Sequence, residues 1–427
     1  MRRCDEFGLR GRSLEQAIDL RTGNTLGVFL KGVAAVAGMM ILAQVSGCSN
    51  ISFGPDIRTT TTTVSQVPGT QVLPAAAGEP IGTGPVRVAL LLPVSGSDGL
   101  ANVGISMANG ARLAMEFIAQ SSTVGDNITL VLKDTAGDPA TAGRMASEAV
   151  SEGASLILGS LRADSVRAAG AVARSAGIPL IGFSNNTGAA SPGVFLLNVL
   201  PEGEVRRSLA YGQSQGRRAF AAIVPNTDFG RIQDGAFRQA VADLGLNARA
   251  VHSFSNETEA RAAVEQVIPL IQSGQVDALF IPDRATAPSF GVLLEAAGID
   301  RTMLTIIGSA DWDGDVNVSQ TGYLVGSIYP AIDDKGQLAL RPEYQARFGT
   351  VPHPFASIAY TATLLANSSS LAQSTPRYDT GQLTRASGFN GRDGLFRFMV
   401  DGRSEYALTI KQVVVGGAQQ IDGPRLP

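Results

Sequence analysis

Residues 86–94 read "VRVALLLPV". An unbroken apolar run, closed by the loop "SGSDG" (95–99), offers no polar face to water. It fits a strand covered on both sides, as in parallel sheets with helices above and below. The next segment, "ISMANGARLAMEFIAQ" (105–120), sets Met107, Ala111, Ala114, Met115 and Ile118 at helical spacing. The alternation then repeats. "ITLVLKDT", "SLILGS" and "PLIGFS" read as strands, separated by the helical stretches "DPATAGRMASEAVSEG" and "ADSVRAAGAVARSAG". Gly153 and Gly177 stand where helix C-caps belong. A second series opens with "FAAIVPN" and runs through "ARAVHSF", "ALFIPD" and "LTIIGS", again with helices between. Strand alternating with helix predicts βαβ units and parallel sheets, here in two α/β units of similar size. The segment "YLVGSIYP" (323–330), two helices within 341–372 and a terminal hairpin follow. In the hairpin "GLFRFMV" pairs through "DGR" with "YALTIKQVVV", because Asp-Gly favours a tight turn.

Upstream of Val86 the character differs. The apolar run 32–45 follows Lys31 and suits a signal-peptide core, being too short for a membrane span of roughly 20 residues. It leads into Val45-Ser46-Gly47-Cys48, which resembles the bacterial lipoprotein signal. That resemblance implies cleavage before Cys48, acylation of its sulfur, and outer-membrane sorting because Ser49 follows. Residues 1–47 are thus expected as a signal peptide. Residues 48–85, with the run Thr59 to Thr63 and scattered Pro and Gly, are expected as a flexible tether. A coil of that length reaches roughly 35 Å. The only cysteines are Cys4 and Cys48, so the exported chain has no disulfide and depends on its core.

The ordered run "LLPVSG", "NGARLA", "KDTAGDPATAG", "LILGS", "AGIPLIGFSN", "VPNTDFG" and "GFNGRDGLFRFMVDGR" resembles the type 1 periplasmic binding proteins of the leucine/isoleucine/valine class. It covers about 86–417. "ILGSL", "LPEGEV" and "VPNTDFG" are similar to the penicillin-binding protein activator lipoproteins within that class. The resemblance implies two doubly wound parallel-sheet lobes joined by three crossovers, with a ligand cleft between. The crossovers are expected near 200–202, 322–326 and 373–390. Lobe one is then 86–200 plus 325–372, and lobe two is 201–324 plus 388–417.

Open parallel sheets bind ligands beyond the carboxyl ends of their strands. Candidate ligand-binding residues at those ends are Ser95, Ser97, Ser160, Arg162, Ser184, Asn185 and Asn186 in lobe one. Lobe two offers Asp228, Phe229, Asp283, Asp311 and Trp312. Helices begin just after most of them, and free N–H groups there suit an anionic group. The same residue types also serve simply as N-caps. Ala163, Asn186, Phe229 and Ala310 stand where the amino-acid binders carry a hydroxyl, Thr, Tyr and a carboxylate, so α-amino-acid specificity does not carry over with the resemblance.

Catalysis finds little support. His252 and His353 are the only histidines and lack metal-ligand spacing, and GxSxG, Walker and early GxGxxG signatures are missing. No metal or cofactor is expected. The net charge of −3, without a basic block, points away from nucleic acid. The reading that follows is a lipid-anchored periplasmic solute-binding protein that takes a small polar, amino-acid-like ligand in the cleft. Its implied partners are an ABC transporter permease and, through the anchor, the membrane. The alternative is an activator-like lipoprotein that regulates a peptidoglycan synthase by contact and takes no small ligand.

Overall fold

A computed structural model describes residues 74–96 and 99–426. Cys48, the signal peptide, most of the tether, and Ser97 lie outside the described residues. The first sheet holds β1 (Glu79–Ile81), β2 (Val86–Leu92), β3 (Ile128–Asp134), β4 (Leu156–Gly159), β5 (Leu180–Gly182) and β6 (Val194–Leu196) in the order β1-β3-β2-β4-β5-β6. Strands β2 to β6 pair parallel, and β1 lies antiparallel on the β3 edge. Helices α1 (Leu100–Gln120), α2 (Pro139–Ser151) and α3 (Ala163–Ser175) make the crossovers. Asp138 starts α2, accepting from the Thr141 N–H at 2.7 Å, with Pro139 at the first helical position. The sequence places helical spacing only from residue 105, whereas α1 begins five residues earlier at Leu100.

The expected tether ends too late. Residues from 74 onward belong to lobe one, because Ala77 donates to Glu152 Oε1 at 2.8 Å and β1 hydrogen-bonds to β3. Under this strap Lys133, 1% exposed, pairs with Glu148 at 2.6 Å and Glu152 at 3.0 Å. Pro and Gly read as loop here, but the backbone of an edge strand needs no apolar pattern to pair.

The second sheet contains β7 (Ala219–Pro225), β8 (Asn247–Phe254), β9 (Ala278–Phe280), β10 (Thr305–Ile307) and β11 (Ile328–Ala331), all parallel. Its connecting helices are α4 (Pro201–Ser214), α5 (Asp228–Asp243), α6 (Glu257–Gln272), α7 (Ala287–Ala296) and the short α8 (Val316–Gln320). After β11 the chain returns to lobe one as α9 (Lys335–Phe348) and α10 (Phe355–Asn367); α10 packs along α1. A three-stranded sheet follows, β12 (Phe389–Gly391), β13 (Gly394–Phe398) and β14 (Ser404–Tyr406). Finally β15 (Leu408–Val414) and β16 (Gly417–Arg425) close the second sheet, antiparallel to β11 and to each other.

Two boundaries therefore shift. The strand 328–331, expected in lobe one, pairs with β10 and extends the second sheet. The crossovers fall at 197–200, 332–334 and Ala407, rather than near 322–326 and 373–390. Residues 389–406, expected in lobe two, join the lobe-one core: Phe389, Phe396 and Phe398 are buried there with Leu90 and Phe195. Phe398 lies 5.2 Å from Phe195 between ring centroids. The predicted hairpin is real in its first half. Arg397 opposes Glu405 across β13 and β14, and the turn carries Asp401 and Gly402. Gly402 sits at φ +89, and a Cβ there would meet Val194 O at 2.2 Å, so only glycine lets the turn dock on β6. After Tyr406 the chain leaves for the other sheet instead of continuing the pairing.

Candidate functional site

Both parallel sheets have one topology, with the first strand of each unit flanked by the second and the third. The strand order thus reverses between β2 and β4, and again between β7 and β9. Crevices open at such switch points, beyond the carboxyl ends.

In lobe one the switch point presents Ser95 and Ser160. Ser95 is exposed. Its N–H and that of Val94 donate to Asp134 Oδ1 at 3.3 and 3.0 Å, fixing the loop. Burial opposes ionisation of Asp134, but bonds from the Ser95 hydroxyl and the N–H groups of Ala136, Val94 and Ser95 hold its carboxyl below the usual range. Ser160 is 1% exposed, and its Oγ has no partner among the described residues. Thr135, just past β3, and Ser165, in the first turn of α3, are equally buried, and their hydroxyls are likewise unpartnered. Buried hydroxyls usually find a partner, and these three, at the ends of β3 and β4 and the start of α3, have none among the described residues. Arg162 extends into solvent with its side chain 54% exposed and, among the described residues, its guanidinium pairs with Asp164 at 3.4 Å. One strand further, Ser184 Oγ accepts from Asn186 N–H and Asn186 Oδ1 from Gly188 N–H, so both side chains build the turn. Asn185 between them is exposed.

In lobe two Thr227 caps α5 through the Gly230 N–H at 3.2 Å. Asp228, 91% exposed, pairs with Arg231, and Phe229 is half-buried. Asp283 accepts from the Thr286 N–H at 3.2 Å and the Thr286 hydroxyl at 2.7 Å, a capping role. Asp311 accepts from the Arg284 N–H at 3.4 Å, and the Arg284 guanidinium reaches Asp311 at 3.7 Å and Asp315 at 3.9 Å. Trp312 is a correction. It is 1% exposed and packs on Tyr329 with centroids 6.4 Å apart, in the core rather than facing a ligand. A Cβ on Gly308 would lie 2.3 Å from its ring, so the sequence makes room for the indole inside.

The three crossovers together frame a cavity of about 310 Å³. Asn198 and Val199 come from the first, Ala331 and Ile332 from the second, Tyr406 and Leu408 from the third. Glu204, Ala310, Asp313 and Asp393 also face it. Sequence reasoning missed Asn198, Glu204, Asp393 and Tyr406. Asn198 is locked by its own bonds, Nδ2 to Phe183 O at 2.8 Å and Oδ1 from Val199 N–H at 2.8 Å. Asp313 is neutralised by Lys411 at 3.0 Å and accepts from the Tyr329 hydroxyl at 3.0 Å. Burial, with Asp311 and Glu202 adding to it, pushes Glu204 up to about 7 despite the Ala310 N–H. Burial likewise pushes Asp393 up to about 6, although the Ser357 hydroxyl donates to it at 2.6 Å and Arg392 stands near. No cluster that could hold a metal, and no helix long and apolar enough to cross a membrane, occurs among the described residues.

Two sheets wound alike and three crossovers framing a cavity agree with what known proteins show. A family model described as periplasmic binding protein matches residues 85–387, and the chain belongs to that family. A protein of Rhodospirillum rubrum assigned to branched-chain amino acid ABC transport has a similar structure: 20% identity, 79% of this chain and 99% of that one, TM-score 0.67. The branched-chain amino acid transporter substrate-binding protein of Streptococcus pneumoniae, solved with isoleucine, is 20% identical over 80% of this chain and 99% of its own, with TM-score 0.53. A solute-binding protein of an ABC transporter from Rhodopseudomonas palustris, solved with 3,4-dihydroxybenzoic acid, is 19% identical over 80% and 98%, with TM-score 0.51. At these identities the likeness carries the fold. No curated protein matches the chain.

Proposed function

We propose that this chain is a solute-binding protein of the ABC-transporter type, which closes its two lobes on a small polar ligand and delivers it to a permease. The observation that carries the reading is the trio of buried, unpartnered hydroxyls, Thr135, Ser160 and Ser165, at the lobe-one switch point. Ser95, Ser160, Arg162 and Asn185 are the candidates of this reading on the lobe-one side, and Asp228, Phe229, Asp283 and Asp311 on the lobe-two side; Ser97, a candidate from the sequence, lies outside the described residues. Ser184 and Asn186 support the loop. Structural neighbours of this fold were solved with isoleucine and with an aromatic acid, so the fold itself leaves the ligand open. The protein works in the periplasm, held at the outer membrane by acylated Cys48.

Native mass spectrometry of the chain purified without denaturation tests the solute reading. A co-purified small molecule, lost at least tenfold more readily from a Thr135→Val/Ser160→Ala variant, supports it. A preparation without bound solute, and without a thermal shift from any amino acid or aromatic acid, overturns it. The anchor is tested separately: Cys48→Ser should move the protein from the membrane fraction to the soluble periplasm.

A further inference from the structure

The hinge cavity has a composition that the strand-end walls lack. Two of its carboxyl groups, Glu204 and Asp393, have no basic side chain in a salt bridge with them among the described residues, and no Lys or Arg faces the cavity. Arg392, next to Asp393, turns instead to the Tyr360 hydroxyl at 3.1 Å and to Glu343 at 4.0 Å. Asp393 is 3% exposed, and one of its carboxyl oxygens has no partner. Tyr406, 4% exposed, faces the same space, and its hydroxyl makes no hydrogen bond among the described residues. A buried acceptor left unpaired is costly, and the free Asp393 oxygen stands beside the unbonded Tyr406 hydroxyl and Glu204, whose one partner is the Ala310 N–H. Phe355, Ile358 and Ile332 give the cavity an apolar side, while Asn198, Gln337 and Asp313, the last paired with Lys411, are its other polar groups.

We propose that this cavity takes a small organic ammonium ion with an apolar body and no carboxylate. The ammonium donates to Asp393 and Glu204 with the Tyr406 hydroxyl beside it, and the hydrocarbon part lies on Phe355, Ile358 and Ile332. The chemistry selects for it from both sides. An anion would add a negative charge to a space already holding two uncompensated carboxyl groups. A neutral isostere would leave their oxygens unpaired, which is the stronger source of discrimination in buried polar sites. At about 310 Å³ the cavity lies at the small end of ligand sites, which run roughly 300–1,000 Å³. The proposal rests on the solute-binding reading and narrows its ligand class.

Calorimetric titration of the full chain at pH 7.5 with four compounds of one skeleton tests it: 2-phenylethylamine, 2-phenylethanol, 3-phenylpropanoate and phenylalanine. The amine should bind at least tenfold more tightly than the other three. Asp393→Asn and Glu204→Gln should each weaken it at least tenfold, and Tyr406→Phe several-fold, in variants whose melting transitions stay cooperative. Lowering the pH from 7.5 to 5 should weaken the amine about tenfold or more, since the ionised carboxylates hold it and Asp311, Glu202 and Arg392 are the charged neighbours. Tighter binding of phenylalanine or 3-phenylpropanoate overturns the inference and leaves the solute reading standing. So does amine binding that neither carboxyl variant weakens, or a co-purified solute together with no response to any of the four. A chain that takes no solute at all overturns both.

Discussion

At the residue scale Asp393 makes the sharpest statement. Its carboxyl is pushed up to about 6 from an ordinary 3.8, chiefly by burial. Between those values the folded protein holds a proton that the unfolded chain has released, so stability falls as pH rises from about 4 to 6 and stays lower above. A gap of roughly two pKa units amounts to about 3 kcal/mol at neutral pH. Asp393→Asn should therefore raise the melting temperature at pH 7.5, with the gain shrinking to nothing near pH 4; an equal gain at both pH values would refute this account. Glu204 shifts in the same direction, but part of its surface stays accessible, so its titration weighs less on folding. Neither residue was legible in the sequence. In the sequence Asp393 merely precedes Gly394, and Glu204 stands two residues after Glu202 behind Pro201. What distinguishes them is what three distant segments place against them, and local pattern does not record that.

At the scale of elements, the alternation was readable because the inner strands of the two parallel sheets are covered on both faces, whereas the edge strand β8 buries only Phe254. β2 is buried almost throughout, which is why "VRVALLL" shows no alternation. The same property hid the lobe boundaries. β11 is fully buried and would read as an apolar run in either sheet; only its pairing with β10 assigns it. Capping and ligand binding draw on the same residue types, and the oxygens of Ser184, Asn186 and Asp283 accept hydrogen bonds within their own turns. Two element-level tests follow. Thr227→Ala should cost about 1 kcal/mol by removing the cap of α5, measured by chemical denaturation. Arg207 ties α4 to the C-terminal hairpin, donating to Leu408 O at 2.9 Å and to Asp422 at 2.5 Å from a site only 6% exposed. Arg207→Ala should cost about 1–3 kcal/mol, because it leaves the buried Leu408 carbonyl without its donor while Asp422 keeps Arg425 at 2.9 Å. A loss below 1 kcal/mol would mean that the hairpin holds without it.

For the whole molecule, the arrangement of crossovers decides what can move. Each lobe closes its own core, and the segments between them are short: 197–200, 332–334 and the single residue Ala407. Short connections that absorb backbone rotation let two rigid bodies swing about a common axis. A ligand that fits both walls should reduce the radius of gyration in small-angle scattering, and one that fits a single wall should not. The hinge cavity lies among those connections, so its occupant would sense the angle between the lobes directly.

Trp312 gives that motion a visible sign. It is the chain's only tryptophan, sealed in lobe two, and its neighbour Asp313 faces the hinge cavity. Its Nε1–H has no partner among the described residues. Light emitted under ultraviolet excitation at the red edge of protein absorption thus comes from one indole in one environment. A change in its colour or intensity on adding a compound reports on the lobe-two segment that carries Asp311 and Asp313, and the unmodified protein serves as its own optical gauge.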